Sequence, residues 1–145
     1  MAVAKQGHGD SLCGIYSLLN VMASFEKTPK KWESERHRVM FGQLIMAADK
    51  LGYLDLYHLT VGFEAFELRE LFDWVVERFS YGLVSRDLHG APQSPHALVK
   101  YDQDNDHWVA ISSKGELLDS WPFKASVNLK KALEASEGFA IERTT

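Results

Sequence analysis

The chain has 145 residues and a formal net charge of −4; 46% of its residues are apolar, 25% are charged and one is a cysteine. This composition is typical of a globular protein, and we expect residues 1–145 to fold as a single domain around one core. The negative charge argues against nucleic-acid binding, which requires a basic face, and a lone cysteine excludes an internal disulfide or a cysteine-based zinc site.

Membrane and secretion signals are not evident in the sequence. No apolar run approaches the roughly 18 residues of a membrane span, and the first ten residues, MAVAKQGHGD, lack the apolar segment of a signal peptide. We therefore expect no membrane association and a cytoplasmic location, unless the chain is exported by a route that the sequence does not display. A lone thiol also suits a reducing compartment.

The first predicted element is a helix that starts near Cys13 and continues to Phe25, with apolar residues at helical spacing. Asp10 or Ser11 is the expected N-cap, which puts Cys13 at the second or third helical position. There the helix dipole and the unpaired N–H groups favour the thiolate, the nucleophilic form of cysteine. Gly14 follows and leaves the sulfur accessible to a substrate carbonyl.

A lone cysteine at the edge of an apolar helix is more often a small buried hydrophobic residue, so a catalytic role for Cys13 depends on its partners. Cys13, Ser17 and Asn20 form a narrow polar line along this helix. We expect that line to face a cleft.

Further elements are predicted on either side of a hairpin at residues 107–121. In chain order they are a polar loop (26–36), a helix (37–51) that stops at Gly52, a strand (53–61) with His58 on its polar face, a helix (68–79), an irregular segment (80–96), a strand (97–101), an acidic turn (102–106), a short helix (129–135) and a last strand (138–142). The acidic turn lacks the Gly and the Glu of an EF-hand loop, so we expect neither a metal ion nor a cofactor.

The register of the hairpin decides whether two polar side chains meet. Alternation along the strand puts His107 and Val109 on one face. A two-residue turn places Asp119 on the wrong face, whereas a three-residue loop at 113–115 pairs Val109 with Asp119, diagonally across from His107. We expect the three-residue loop.

The order Gln6, Cys13, His107, Asp119 resembles that of the papain-like cysteine peptidases, in particular small bacterial members such as the double-glycine leader peptidases. The segment Asp-Ser-Trp at 119–121 is similar to the Asn-Ser-Trp that ends the papain triad. The resemblance implies that Cys13 is the nucleophile, His107 the general base, Asp119 the residue that orients the imidazole, and Gln6 an oxyanion donor.

The resemblance also implies an α+β, papain-like fold. In it a central N-terminal helix carrying Cys13 packs with further helices against an antiparallel sheet that carries His107 and Asp119, and the active cleft lies at the seam. The residues expected to line the substrate site are Gly14, Trp108 and Trp121.

The expected function is a thiol-dependent peptidase that hydrolyses amide or isopeptide bonds in a protein or peptide substrate. A protein deamidase, a transglutaminase-like enzyme or another acyl-transferring enzyme uses the same triad and remains an alternative. A catalytically inert binding module with the papain fold is the third possibility. The sequence does not indicate an oligomeric state.

Overall fold

The structure, a computed structural model, describes residues 12–26, 33–88, 96–102, 107–112, 116–118, 134 and 137–144. The described helices are α1 (Cys13–Ser24), α2 (Glu33–Lys50), α3 (Leu56–Thr60) and α4 (Ala65–Arg78). The described strands are β1 (Leu83–Asp87), β2 (His96–Asp102), β3 (His107–Ile111), β4 (Leu117–Leu118) and β5 (Gly138–Arg143). The expected α+β class is therefore confirmed; the predicted helix at 129–135 lies outside the described residues except for Glu134.

The strands form one antiparallel sheet with the order β1-β5-β2-β3-β4. In the hairpin, Ala110 pairs with Leu118 and Ile111 with Leu117, and the Ser112 N–H donates to the Glu116 carbonyl at 3.0 Å. This is the predicted register, in which a three-residue loop lies between Ser112 and Glu116. Those three residues, 113–115, lie outside the described part of the chain.

Helix α1 lies at the centre of the fold, as predicted. Ten of its twelve residues are buried, so the helix is enclosed on almost every side. It packs against β3 on one side and against α2 and α4 on the other. Trp108, Ala110 and Leu118 of the sheet belong to the same apolar core as the three helices, which shows that this face of the sheet meets the helical layer.

Helix α2 starts earlier than its apolar spacing predicts. Residues 33–36, which we expected in a loop, form its first turn, and Arg36 makes two 2.7 Å hydrogen bonds with the Glu26 carboxylate. Its end is as predicted: Gly52 adopts a φ of +81°, which lets the Tyr53 N–H donate back to the Ala48 carbonyl at 2.7 Å.

Two predictions for the middle of the chain are wrong. Residues 53–61 do not form a strand but contain the short helix α3, because the Asp55 side chain accepts the His58 N–H at 2.8 Å and caps it. Part of the segment 80–96 is not irregular, because residues 83–87 form β1, which is stabilised by pairing with β5.

Helix α4 confirms its prediction and begins with a capping box, in which Glu64 and Glu67 satisfy each other's backbone N–H groups. None of the described helices combines the length and the apolar composition that crossing a membrane requires.

Candidate active site

Cys13 is the first residue of α1, whereas the sequence analysis expected it at the second or third helical position. The N-cap is Leu12, whose carbonyl accepts the Tyr16 N–H at 3.0 Å and so starts the helical hydrogen-bond pattern. Asp10 and Ser11, the predicted caps, lie outside the described residues. Cys13 still lies in the first turn, where helix N–H groups and the dipole favour an anion. Its residue surface is 8% exposed.

Two members of the polar line on α1, Ser17 and Asn20, are buried, and Ser17 contacts the sheet. Ser17 is fully buried and Asn20 is 1% exposed. The Ser17 hydroxyl donates to the Trp108 carbonyl oxygen at 2.8 Å. The expectation of a cleft-facing line is therefore wrong for these two residues, because the hydroxyl of Ser17 joins α1 to the backbone of β3.

Two contacts define the direction of α1 across the sheet. Near its N-terminus Ser17 bonds to Trp108, the second residue of β3, and after its C-terminus the Phe25 carbonyl accepts from the Arg143 guanidinium at the end of β5. Since β3 and β5 both run antiparallel to β2, α1 crosses the sheet from the start of β3 towards the end of β5. Cys13 is four residues before Ser17, which places it about 6 Å farther along the axis, beyond Trp108.

His107 is the first residue of β3 and lies at the strand end to which the N-terminus of α1 points. Helix α1, which begins at Cys13, therefore contacts β3, which begins at His107, although 93 residues lie between these two positions in the chain. The side chain of His107 lies outside the described part. Gln6, Asp119 and Trp121 also lie outside the described residues, so their predicted roles stay predictions.

Gly14 and Trp108 have structural roles that the sequence analysis did not foresee. A Cβ atom on Gly14 would lie 2.8 Å from two side-chain carbons of Leu68, so the missing side chain allows α1 to approach α4 closely. Trp108 is 1% exposed, and its indole N–H donates to the Phe63 carbonyl at 3.3 Å. Trp108 is therefore a core residue, and the prediction that it lines the substrate site is wrong.

A group of titratable side chains around the buried His58, which the sequence analysis missed, joins α3 to α4. His58 is 8% exposed, with its Nδ1 atom 2.7 Å from Asp55 Oδ1 and its Nε2 atom 2.5 Å from Glu67 Oε2. Its ring also contacts Tyr53 and Phe63, at centroid distances of 4.9 and 5.2 Å. An imidazole that donates from both nitrogens to carboxylates is in its cationic form.

The pKa values of this group reflect burial and these hydrogen bonds. Burial alone would lower the pKa of His58, but the hydrogen bonds to Glu67 and Asp55 outweigh it and raise the pKa above its ordinary value of 6.5. The backbone and side-chain hydrogen bonds from His58 lower the pKa of Asp55. Burial, together with a 2.7 Å hydrogen bond to Glu70, raises the pKa of Tyr53 to about 12.

The spacing of Asp55 and His58 carries the signal that the sequence analysis overlooked. An Asp followed three residues later by the residue whose N–H it accepts is a helix N-cap pattern, and it also brings the two side chains together.

Among the residues that the structure describes, no group of three or more His, Cys, Asp or Glu side chains is arranged to hold a metal ion. Comparison of the chain with protein-family models, with curated proteins and with solved structures found no match.

Proposed function

We propose that this chain is a papain-like cysteine peptidase that hydrolyses amide or isopeptide bonds through a thioester on Cys13. The observation that supports this most directly is the hydrogen bond from Ser17 to the Trp108 carbonyl, because it brings the N-terminal half of α1 to the start of β3. A thiol and an imidazole at the adjoining ends of these two elements form the minimal pair for nucleophilic catalysis.

The proposed site lies where α1 begins beside the start of β3, the strand whose first residue is His107. In the proposed mechanism the His107 imidazole and the Cys13 thiol meet there. The mechanism uses the predicted pairing of Asp119 with Val109, diagonally across from His107, so that the carboxylate can orient the imidazole.

The proposed reaction is acyl transfer in two steps. His107 takes the proton of the Cys13 thiol, and the sulfur attacks the substrate carbonyl carbon. The oxyanion is stabilised by the Cys13 backbone N–H and the Gln6 side-chain amide. His107 then protonates the departing amine as the thioester forms. Finally His107 activates a water molecule that hydrolyses the thioester, while Asp119 keeps the imidazole in the required tautomer.

One observation favours a second candidate, the catalytically inert module with the same fold. Cys13 is 8% exposed and belongs to the apolar core cluster, which is the environment of a structural cysteine. A deamidase or a transglutaminase-like enzyme would use the same residues as the peptidase and differ only in the group that resolves the thioester.

Labelling with a library of electrophilic peptide and ubiquitin-like probes, read by intact-protein mass spectrometry, tests the proposal. We expect one adduct per chain in the wild type and none in Cys13→Ser. His107→Ala should slow adduct formation about 100-fold to 10,000-fold, the usual effect of losing an acid–base group. His37→Ala, on α2, is the matched control and should label at the wild-type rate.

Two results would decide against the peptidase. Absence of an adduct in a protein with a native circular dichroism spectrum, or an adduct whose rate His107→Ala leaves unchanged, would favour the inert module. If labelling succeeds, mass spectra of a treated protein pool distinguish cleavage from deamidation of glutamine side chains and from cross-linking.

A further inference from the structure

The described part of the chain exposes six large apolar side chains, and four of them lie within one short stretch from α3 to the first turn of α4. They are Leu56, Tyr57, Val61 and Phe66, with exposed fractions of 79%, 58%, 49% and 68%. Single exposed apolar residues need no explanation, but a group of them marks an interaction site. We name these four residues the apolar patch.

The contacts of α3 show that members of the patch are neighbours in space. The 2.5 Å contact between His58 Nε2 and Glu67 Oε2 joins α3 to the start of α4. Tyr57 precedes His58 in the chain and Phe66 precedes Glu67, so the backbone positions of the two exposed residues lie next to this contact. The Val61 N–H donates to the Tyr57 carbonyl at 2.7 Å, which places Val61 one turn from Tyr57.

The patch lies in the most acidic stretch of the chain. Residues 53–77 contain six acidic residues and one basic residue, Arg69, which gives a formal net charge of −5 with histidine counted as neutral, whereas the whole chain carries −4 on the same count. A cationic His58 offsets one of the six carboxylates. Arg69 is already bound to Asp87 at 2.6 Å, which leaves less positive charge to offset the carboxylates. The acidic residues of this stretch that are exposed are Asp55, Glu64, Glu70, Asp73 and Glu77.

We propose that the apolar patch is a docking surface for a cationic amphipathic polypeptide segment, with apolar side chains on one face and Lys or Arg on the other. The apolar face of such a segment covers the patch, and its basic face meets the surrounding carboxylates. The same carboxylates repel nucleic acid and an anionic membrane surface. A twofold contact with a second copy would bring two acidic stretches together, which disfavours a homodimer here.

This docking surface is independent of the proposed peptidase activity, because it uses neither Cys13 nor β3. The test uses two synthetic amphipathic peptides of equal length and equal apolar face, one with Lys and one with Glu on the polar face. Fluorescence anisotropy measures the binding of each labelled peptide to the full chain. We expect binding of the Lys peptide, weakened by added salt, and no binding of the Glu peptide.

The variant Leu56→Ser/Phe66→Ser should weaken binding of the Lys peptide about tenfold or more, since each substitution removes apolar area from the contact. Both side chains are exposed, so the core is not altered. Val39→Ser/Met46→Ser is the matched control: these residues are 45% and 46% exposed on α2, outside the acidic stretch, and should leave the affinity unchanged.

Three outcomes would overturn the proposal. The first is equal binding of the Lys and Glu peptides, and the second is equal loss of affinity in the patch and control variants. The third is a homodimer in sedimentation velocity that Leu56→Ser/Phe66→Ser dissociates, which would make a second copy the occupant.

Discussion

The Ser17 hydroxyl donates a 2.8 Å hydrogen bond to the Trp108 carbonyl oxygen, and this contact joins the N-terminal half of α1 to the start of β3. Both residues are buried, so water cannot take the place of this bond unless the surrounding core rearranges. The contact bears on the stability of the fold and on the proposed active site, because Cys13 and His107 are the first residues of the two elements that it joins.

Ser17→Ala should lower the free energy of unfolding by about 1–3 kcal/mol, since it leaves a buried carbonyl without its donor. Urea denaturation followed by circular dichroism measures this. Ser24→Ala is the matched control, because the Ser24 hydroxyl bonds to Val21 of its own helix, at 2.6 Å, and not to a described residue of the sheet. We expect its effect to stay within about 0.5 kcal/mol. Equal losses in the two variants would contradict a special role for the Ser17 contact.

Gly14→Ala should destabilise the fold by about 1–3 kcal/mol, because the added methyl group would lie 2.8 Å from the buried Leu68 side chain, which must move within a packed contact between α1 and α4. Gly42→Ala, in α2, should have the opposite effect on stability, because nothing lies within 4 Å of the added carbon. There the substitution should stabilise the helix by about 0.5–1 kcal/mol. Thermal denaturation of both variants measures the contrast, and a stabilised Gly14→Ala would refute the packing explanation.

Stability should depend on pH through His58. Because folding raises the pKa of this imidazole, its contribution is complete below the unfolded value of 6.5 and is lost as the pH rises through the higher folded value. We therefore expect the free energy of unfolding of the wild type to decrease above pH 6.5 by more than that of His58→Gln. At lower pH His58→Gln should be less stable by about 1–3 kcal/mol, because the buried Glu67 loses its partner.

Urea denaturation over a pH series measures this difference. The groups that face His58 include Asp55 and Glu67, and Tyr53, whose pKa of about 12 puts its titration well above the relevant range. His37→Gln, on α2, is the control and should keep the wild-type decrease. Parallel pH curves for the wild type and His58→Gln would show that the imidazole does not contribute in this way.

Gln6→Ala should separate turnover from thiol reactivity if the proposed mechanism holds. Loss of one oxyanion donor should lower peptide turnover about 100-fold to 1,000-fold. Alkylation of Cys13 by iodoacetamide forms no oxyanion, so its rate should not change. Parallel turnover and alkylation assays measure the two effects. A variant that loses both together would indicate that Gln6 positions the thiol instead of stabilising an oxyanion.

The sequence was most informative where a pattern is long or a loop is short. The apolar spacing of α1 and α4 predicts their existence correctly, because each presents several turns of one apolar face. The register of β3 and β4 follows correctly from the expected three-residue loop, since loop length determines which residues pair.

The sequence analysis failed where a distant partner or a side-chain cap outweighs a local pattern. Residues 53–61 alternate like a strand, but the hydrogen bonds of His58 with Asp55 and Glu67 stabilise a helix. Residues 83–87 looked irregular beside their glycines and prolines, and they form a strand because β5, near the other end of the chain, pairs with them. Trp108 was expected at the substrate surface, but its indole N–H bonds to Phe63 inside the core.

By itself the sequence determined the α+β composition, the central place of the cysteine helix and the pairing of the last hairpin. These depend on apolar periodicity and on loop length, which neighbouring residues encode. Only the tertiary structure decided that Ser17 holds α1 on β3 and that His58 joins α3 to α4. The first of these contacts links residues 91 positions apart, and burial makes both strong because it excludes the water that would otherwise compete for the same donors and acceptors.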